Sequence, residues 1–179
     1  ARVFHYFEEI CAIPHGSGNE KAISDYCVAF ARSHDLWVRQ DGANNVIIRK
    51  PASAGYETAP VVMLQGHMDM VCEKNSDVDF DFEKDGLKLK VEGDFVSAKG
   101  TTLGGDDGIA VAYVLAILED DTLEHPELEV VITTDEEVGM KGAHALDVSD
   151  LKASYLLNLD NESEGQILTS CAGGMKSRA

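Results

Sequence analysis

Histidine and carboxylate side chains occur in three short motifs whose spacing could bind a metal ion. The first motif is His67-Met68-Asp69. Side chains two residues apart in a strand point to the same side, so His67 could face a metal while Asp69 supports it. Asp69 would accept a hydrogen bond from the second ring nitrogen and thereby fix the tautomer of the imidazole. The alternative is a histidine that is hydrogen-bonded inside the fold and binds no metal.

Two adjacent aspartates, Asp106 and Asp107, lie in a glycine-rich loop just before an apolar helix. Asp106 could bridge two cations, because the two oxygens of one carboxylate can hold metals about 3.5–4 Å apart. The glycines around this pair would let the backbone take unusual dihedral angles close to such a site. The competing interpretation is that both acids cap the following helix.

The third motif is Asp135-Glu136-Glu137, in which three adjacent acids repel one another unless cations or solvent offset their charge. One glutamate could bind a metal while its neighbour stays free as a proton acceptor, because metal-assisted hydrolysis needs a base. A solvated acidic loop is the alternative. Asp160 follows another apolar run, and together with the three motifs it is a candidate terminal ligand. Taken alone, it would be interpreted as a solvated acid at a strand end.

Three apolar runs are predicted to position these side chains. The runs cover residues 60–65, 129–134 and 154–159. Such runs are typical of buried strands in an α/β sheet that is covered on both faces. Each ends in a residue of ligand type, and open α/β sheets bind their ligands at the carboxyl ends of the strands. The sequence therefore predicts an α/β fold with a metal site at this edge.

Periodicity and turn residues place the remaining elements. Apolar residues at helical spacing predict helices over 2–12, about 19–34 and about 109–119. Alternating apolar residues and turn signals predict strands over 37–39 and 45–49, and a hairpin over 86–98.

Composition limits the classes of function. The chain has 179 residues, of which 44% are hydrophobic, enough for one domain with its own core. Its formal net charge of −17 argues against nucleic acid or an anionic membrane surface as a partner. The four cysteines form no C-x-x-C pair, which argues against a thiolate zinc site and suits free thiols in the cytoplasm. Oxygen and imidazole ligands fit zinc, manganese or cobalt.

The motifs resemble those of the aminoacyl-histidine dipeptidases, also called Xaa-His or cytosol non-specific dipeptidases, a branch of the co-catalytic metallopeptidases. The resemblance covers essentially the whole chain, in order. It rests on five segments, which are residues 13–20, 65–71, 100–109, 134–140 and 157–160. His15 stands where the branch has arginine, while Gly105 and Asp107 stand where it often has alanine and asparagine.

The resemblance implies an enzyme with two zinc ions, for which manganese or cobalt could substitute. The implied metal ligands are His67, Asp106, Glu137 and Asp160. His67 and Asp160 would bind one zinc, Glu137 the other, and Asp106 would bridge both, with a cis peptide to Asp107. Asp69 would orient His67, and Glu136 would be the general base for hydrolysis of Xaa-His and other dipeptides by a zinc-activated water.

The resemblance also implies a three-layer α/β/α catalytic domain with a mixed, mostly parallel sheet. Residues 1–179 would be a partial catalytic domain that ends at the junction to a lid or dimerisation domain. That domain and the later catalytic part would supply the last zinc-binding histidine and the residues that bind substrate. We therefore expect this fragment to be inactive and the full-length protein to be a cytoplasmic homodimer. The remaining histidines match no family motif for these roles; they are His5, His15, His34, His125 and His144.

Two other functions stay open. One is a deacylase or carboxypeptidase of the same superfamily, and the other is a non-catalytic metal-binding domain. The N-terminal segment 13–20, Met70-Val71 after Asp69 and the loop 101–104 favour the dipeptidase branch. The resemblance implies, however, that specificity is determined mainly by the lid.

Overall fold

The structure, a computed structural model, describes residues 2–161, 163 and 165–170. In this part of the chain the helices are α1 Arg2–Cys11, α2 Lys21–Ser33, α3 Gly105–Glu119 and α4 Lys141–Ala145. The strands are β1 Trp37–Gln40, β2 Val46–Lys50, β3 Val62–His67, β4 Leu89–Glu92, β5 Phe95–Ala98, β6 Leu128–Thr133 and β7 Tyr155–Asn158. The predicted elements are therefore all present, and the short helix α4 is an addition.

Five of the strands form one mixed sheet, in the order β1-β2-β6-β3-β7. Strand β3 runs parallel to both β6 and β7, whereas β2 runs antiparallel to β6 and to β1. The other two strands, β4 and β5, form the separate antiparallel hairpin. His67 is paired with Thr133, and Gln65 with Asn158, so the three parallel strands end at the same edge. This arrangement confirms the predicted α/β class.

Helices α1, α2 and α3 cover one face of the sheet and form the main core with it. The strand residues of this core are Val46, Ile48, Leu64, Val130 and Ile132. Helix α3 packs between β3 and α1, so most of its side chains are buried and its sequence is apolar on nearly all sides. This packing brings the start of α3 to the carboxyl end of β3.

The opposite face carries a smaller apolar cluster, in which Ile47, Met63 and Val131 pack against residues 146–153. Ala143 of α4 lies beside the same groove, so helices occupy both sides of the sheet. Helix α4 has only five residues, too few to show an apolar period in the sequence.

Strand β7 contradicts the prediction that all three apolar runs are buried. Strand β6 is buried along its whole length, but Tyr155, Leu156 and Leu157 of β7 are 62%, 58% and 52% exposed. The reason is position, because β7 is the last strand of the described sheet and pairs only with β3. An apolar run identifies a strand but does not reveal how many neighbours it has.

Three of the cysteines are free thiols, as predicted. Cys11 and Cys27 are buried, Cys72 is exposed, and Cys171 lies outside the described residues. None of the helices described is both long enough and apolar enough to cross a membrane.

Candidate metal centre

His67 ends strand β3 and is almost completely buried, with 1% of its surface exposed. Its Nδ1 atom lies 3.0 Å from the backbone oxygen of Asp69 and 3.3 Å from a carboxylate oxygen of the same residue. Its Nε2 atom lies 3.1 Å from Oδ1 of Asp106 and 3.9 Å from Oε2 of Glu136. A proton on Nδ1, donated to Asp69, leaves Nε2 as the atom that could bind a metal.

Asp69 contacts His67 as predicted, although the predicted reason is wrong. Strand β3 ends at His67, so the alternation of side chains along a strand does not extend to Asp69. The buried Asp69 carboxylate accepts hydrogen bonds from the backbone N–H groups of Glu136 at 2.9 Å and Glu137 at 3.3 Å. It also accepts one from the hydroxyl of Ser17 at 2.7 Å. Asp69 thus connects the histidine motif to the acidic motif.

A cis peptide bond joins Asp106 and Asp107, as the resemblance implied. Both residues have non-helical backbone angles and Gly104 is the N-cap of α3, so neither aspartate stands in the capping position. Asp107 is buried, and its Oδ2 accepts a hydrogen bond from the backbone N–H of His67 at 3.2 Å. Gly66 permits this approach, because a Cβ atom there would lie only 2.6 Å from the same oxygen.

The turn after β6 carries Glu136 and Glu137, and a buried asparagine forms hydrogen bonds to the backbone before and after this turn. The backbone N–H of Thr134 donates to Oδ1 of Asn45 at 3.1 Å, and the Asn45 amide donates to the backbone oxygen of Gly142 at 2.9 Å. The N–H of Gly142 in turn donates to the backbone oxygen of Thr134 at 3.1 Å. These bonds close the turn and fix where its acidic side chains begin.

Two groups of side chains each offer three ligand atoms that lie within 4.8 Å of one another. The groups are His67 with Asp106 and Glu137, and His67 with Asp107 and Asp160. All four predicted ligands therefore belong to these groups. The prediction had placed Asp106 and Asp160 on the same metal, but in the structure the aspartate that is grouped with Asp160 is Asp107. A bridging role for Asp106 stays a prediction. No other histidine of the described residues belongs to either group.

Burial and hydrogen bonding act against each other on the groups of this cluster. Burial disfavours the charged form of His67, but the hydrogen bond and charge of Asp69 outweigh it and raise the pKa of His67 to about 9. Burial also disfavours the charged form of Asp69, but hydrogen bonds, first from His67, lower its pKa to about 2. Burial raises the pKa of Asp107 to about 7, although His67 opposes it, and the charge of Asp160 adds to the rise.

The cluster is short of positive charge. Burial raises the pKa of both Glu136 and Glu137. In the described part of the chain, no lysine or arginine forms an ion pair with Asp106, with Asp107 or with either glutamate. Imidazole nitrogen and carboxylate oxygens with uncompensated negative charge fit a divalent cation such as zinc, manganese or cobalt.

Three residues that support the cluster were not indicated by the motifs themselves. Ser17 donates a hydrogen bond to Asp69, while Glu20 and Asn45 accept hydrogen bonds from the backbone of the acidic turn and of the residue before it. Ser17 and Glu20 belong to the N-terminal segment 13–20 that resembles the dipeptidases, which was the only available signal. Asn45 lies in a short turn between two strands and carried no signal at all.

Comparison with known proteins extends this description to a family. The model of peptidase family M20/M25/M40 matches residues 63–167. This chain belongs to that peptidase family. The matched range begins in β3 and includes all four predicted ligands. Members of the M20 family are metal-dependent, which agrees with the charge and the donor atoms of the cluster.

Individual relatives confirm the resemblance to the aminoacyl-histidine dipeptidases. The cytosol non-specific dipeptidase of Escherichia coli is 46% identical over 94% of this M20 chain, which covers 35% of that protein. The crystal structure of aminoacylhistidine dipeptidase from Vibrio alginolyticus superposes with a TM-score of 0.89 and 45% identity, over 92% of this chain and 34% of that one. The uncharacterised protein YqjE of Bacillus subtilis is 31% identical over 96% of this chain and 43% of its own length. The chain thus spans less than half the length of these relatives.

Proposed function

We propose that this chain is the N-terminal part of the catalytic domain of a longer, metal-dependent dipeptidase. The observation that carries the proposal is the convergence of His67 with Asp106, Glu137 and Asp160 at the carboxyl edge of the parallel strands. The identity to dipeptidases over nearly the whole chain supports the same reaction class. Zinc is the proposed metal, with manganese and cobalt as alternatives that the same donor atoms accept.

A divalent metal in this cluster would polarise the scissile carbonyl and lower the pKa of water. Glu136 is the proposed general base, which takes a proton from water and passes it to the leaving amine. Its Oε2 lies 3.9 Å from Nε2 of His67, so the carboxylate is next to the ligands without belonging to either group. Its raised pKa suits both proton transfers, because a base works best when its pKa lies near the working pH.

Asp69 and the remaining ligands would hold the reacting groups in place. Asp69 fixes the tautomer of His67 through Nδ1 and anchors the backbone of Glu136. The two groups of three ligand atoms share His67, so the described residues do not offer a full ligand set for two metals at once. We therefore propose that the fragment hydrolyses dipeptides poorly or not at all. We also propose that the full-length protein acts on dipeptides in the cytoplasm as a homodimer, which agrees with the cytosolic name of its E. coli relative.

The test is Glu136→Gln in the full-length protein that contains this chain. We expect hydrolysis of dipeptides such as Ala-His to fall by about 10²–10⁴-fold, because the variant lacks the base, while zinc content stays unchanged. Glu8→Gln, on the exposed surface of α1, is the matched control and should keep full turnover. Unchanged turnover in Glu136→Gln would remove Glu136 from the mechanism. Turnover of N-acylated amino acids but not of dipeptides would favour the deacylase alternative.

A further inference from the structure

We propose that Glu20 is a positioning residue of the metal centre, which holds the backbone of the acidic turn at residues 135–137. This inference rests on the proposed function, since it assigns Glu20 a role towards the metal ligand Glu137 and the base Glu136. Glu20 is separated from the turn by more than a hundred residues of chain and is not among the candidate ligands.

Three consecutive backbone N–H groups of the turn donate to carboxylates from two other segments. The N–H of Asp135 donates to Oε1 of Glu20 at 3.0 Å. The next two, of Glu136 and Glu137, donate to Asp69 at 2.9 Å and 3.3 Å. The backbone of the turn is thus held at each of its three acidic residues, by Glu20 at the first and by Asp69 at the other two.

Asp135 needs such an anchor because of its backbone conformation. Its φ angle is 53°, in the left-handed region that residues other than glycine rarely adopt. A residue keeps such a conformation only where the surrounding structure determines it. Asp135 lies two residues after the end of strand β6, and its hydrogen bond to Glu20 fixes the backbone where the chain turns towards Glu136 and Glu137.

Glu20 is itself held rigidly. It is 5% exposed and stands at the N-cap position of helix α2, and its backbone oxygen accepts the N–H of Ser24 at 2.9 Å. Helix α2 is anchored in the main core through Ile23 and Cys27, which are completely buried. The carboxylate therefore extends from a packed element rather than from a mobile loop.

The same segment also touches the other anchor of the turn. Ser17 donates its hydroxyl hydrogen to Oδ2 of Asp69 at 2.7 Å. The backbone of His15 accepts the N–H of Met70 at 3.2 Å, which ties the segment to the residues that follow the histidine motif. The segment 15–20 thus supports both the histidine side and the glutamate side of the cluster, and Glu20 is its direct contact with the turn.

Loss of the Glu20 acceptor would leave the N–H of Asp135 without its partner and loosen the turn at its first acidic residue, while Asp69 still holds the next two. Glu137 would then be held less firmly at the distance from His67 that the ligand group requires. Outer contacts of this kind typically change metal affinity by about 10–100-fold when they are removed. A side chain that merely stabilises the fold would lower the melting temperature and leave the affinity for metal unchanged.

The experiment is a zinc titration of the full 179-residue chain by isothermal calorimetry, with Glu20→Met as the test variant. Methionine keeps the length of the side chain but cannot accept the Asp135 hydrogen bond, so we expect the zinc dissociation constant to rise by about tenfold or more. Glu20→Gln keeps an oxygen that can accept this bond, and its affinity should stay within about threefold of the original.

The matched control is Glu9→Met, which removes the hydrogen bond between Glu9 and the hydroxyl of Tyr26 at 2.6 Å. This bond joins α1 to α2 and touches no residue of the cluster, so zinc affinity should not change. If Glu20→Met lowers the melting temperature and binds zinc as tightly as the original chain, the positioning role is overturned. If Glu20→Met shows no cooperative unfolding, Glu20→Asp replaces it, because the shorter carboxylate keeps the charge and loses the reach; unchanged affinity would again overturn the proposal.

His67→Ala separates this inference from the proposed function. If His67→Ala loses zinc binding while Glu20→Met binds zinc as tightly as the original chain, only the positioning role of Glu20 fails. If the original chain binds no zinc, or if His67→Ala binds it equally well, the proposed metal centre fails and the role of Glu20 fails with it.

Discussion

The carboxylates at the two ends of strand β6 differ in how the protein compensates their charge. Near its beginning, the completely buried Glu129 accepts a hydrogen bond from Nε of Arg49 at 2.9 Å. The second carboxylate oxygen accepts the backbone N–H groups of Lys152 at 2.9 Å and Ala153 at 3.0 Å. Arg49 also lies over the ring of Trp37, 4.2 Å from its centroid. Glu129 and Arg49 therefore each have a charged partner from the protein itself.

At the other end of β6 the acids of the turn meet Asp106 and Asp107 around one imidazole, that of His67. Within the described residues these carboxylates have no lysine or arginine beside them. From this difference we propose that the first group of acids is structural and that the second binds a cation. A carboxylate that is compensated by arginine stabilises the fold, whereas several carboxylates that share one histidine would be stabilised by a bound cation.

The largest effect that this comparison predicts is at Glu129. Glu129→Ala leaves Nε of the half-buried Arg49 without its acceptor, although Asp150 still pairs with the guanidinium, and it leaves two backbone N–H groups without an acceptor. We therefore expect the free energy of unfolding to fall by about 3–5 kcal/mol. Urea denaturation measures this, and zinc should not restore the loss. Glu127→Ala is the control, because Glu127 forms only a partly exposed contact of 3.9 Å with Lys152 and should cost less than about 1 kcal/mol. Equal effects in the two variants would contradict the contrast.

The second prediction concerns the opposite end. Zinc should stabilise the chain because it binds the folded cluster and relieves the repulsion among its carboxylates. At a free concentration of about 100 times the dissociation constant, the gain in unfolding free energy should be about 2.7 kcal/mol. We expect at most one tight site per chain. Thermal unfolding with zinc, and again after chelation by EDTA, measures the gain, and His67→Ala should show none. Two equally tight sites, or no shift at all, would argue against this account.

The convergence of the cluster could be predicted from sequence because it follows from strand direction. Three apolar runs ended in ligand-type residues, and parallel strands bring their carboxyl ends to one edge. His67, the acidic turn and Asp160 could therefore be expected to meet there. The exposure of β7 could not be predicted, since a period in the sequence records which faces are apolar but not which neighbours cover them.

The contacts that support the cluster could not be predicted for a different reason. Glu20 and Asp69 bind backbone N–H groups of a turn, and every residue except proline offers such a group. A bond of this kind depends on how closely two distant segments approach. Because the donor is a backbone group, the type of the donating residue gives no signal in the sequence. The same holds for Asp107, whose carboxylate reaches the N–H of His67 because Gly66 leaves room. Backbone contacts at a site therefore have to be observed.

The smallest predicted effect, and the one that tests the charge balance most directly, is the pH dependence of zinc binding. The pKa of His67 is raised to about 9, so the imidazole carries an extra proton at neutral pH that zinc has to displace. Below this pKa, affinity should therefore weaken by about tenfold for each unit by which the pH falls, as expected for the release of one proton. Calorimetry in two buffers with different heats of ionisation measures the number of protons released.

Asp69→Asn is the control for this dependence, because the charge of Asp69 helps to raise the pKa of His67. With that charge removed, the pKa of His67 should fall, and fewer protons should be released at about pH 7.5. If His67 is the only group that loses a proton on zinc binding, the logarithm of the affinity should change with pH with a slope of one. A steeper slope below about pH 7 would indicate that Asp107, whose pKa is raised to about 7, also releases its proton to the buffer when the metal binds. Affinity that does not vary with pH would contradict metal binding through His67, because a protonated imidazole nitrogen cannot be a ligand.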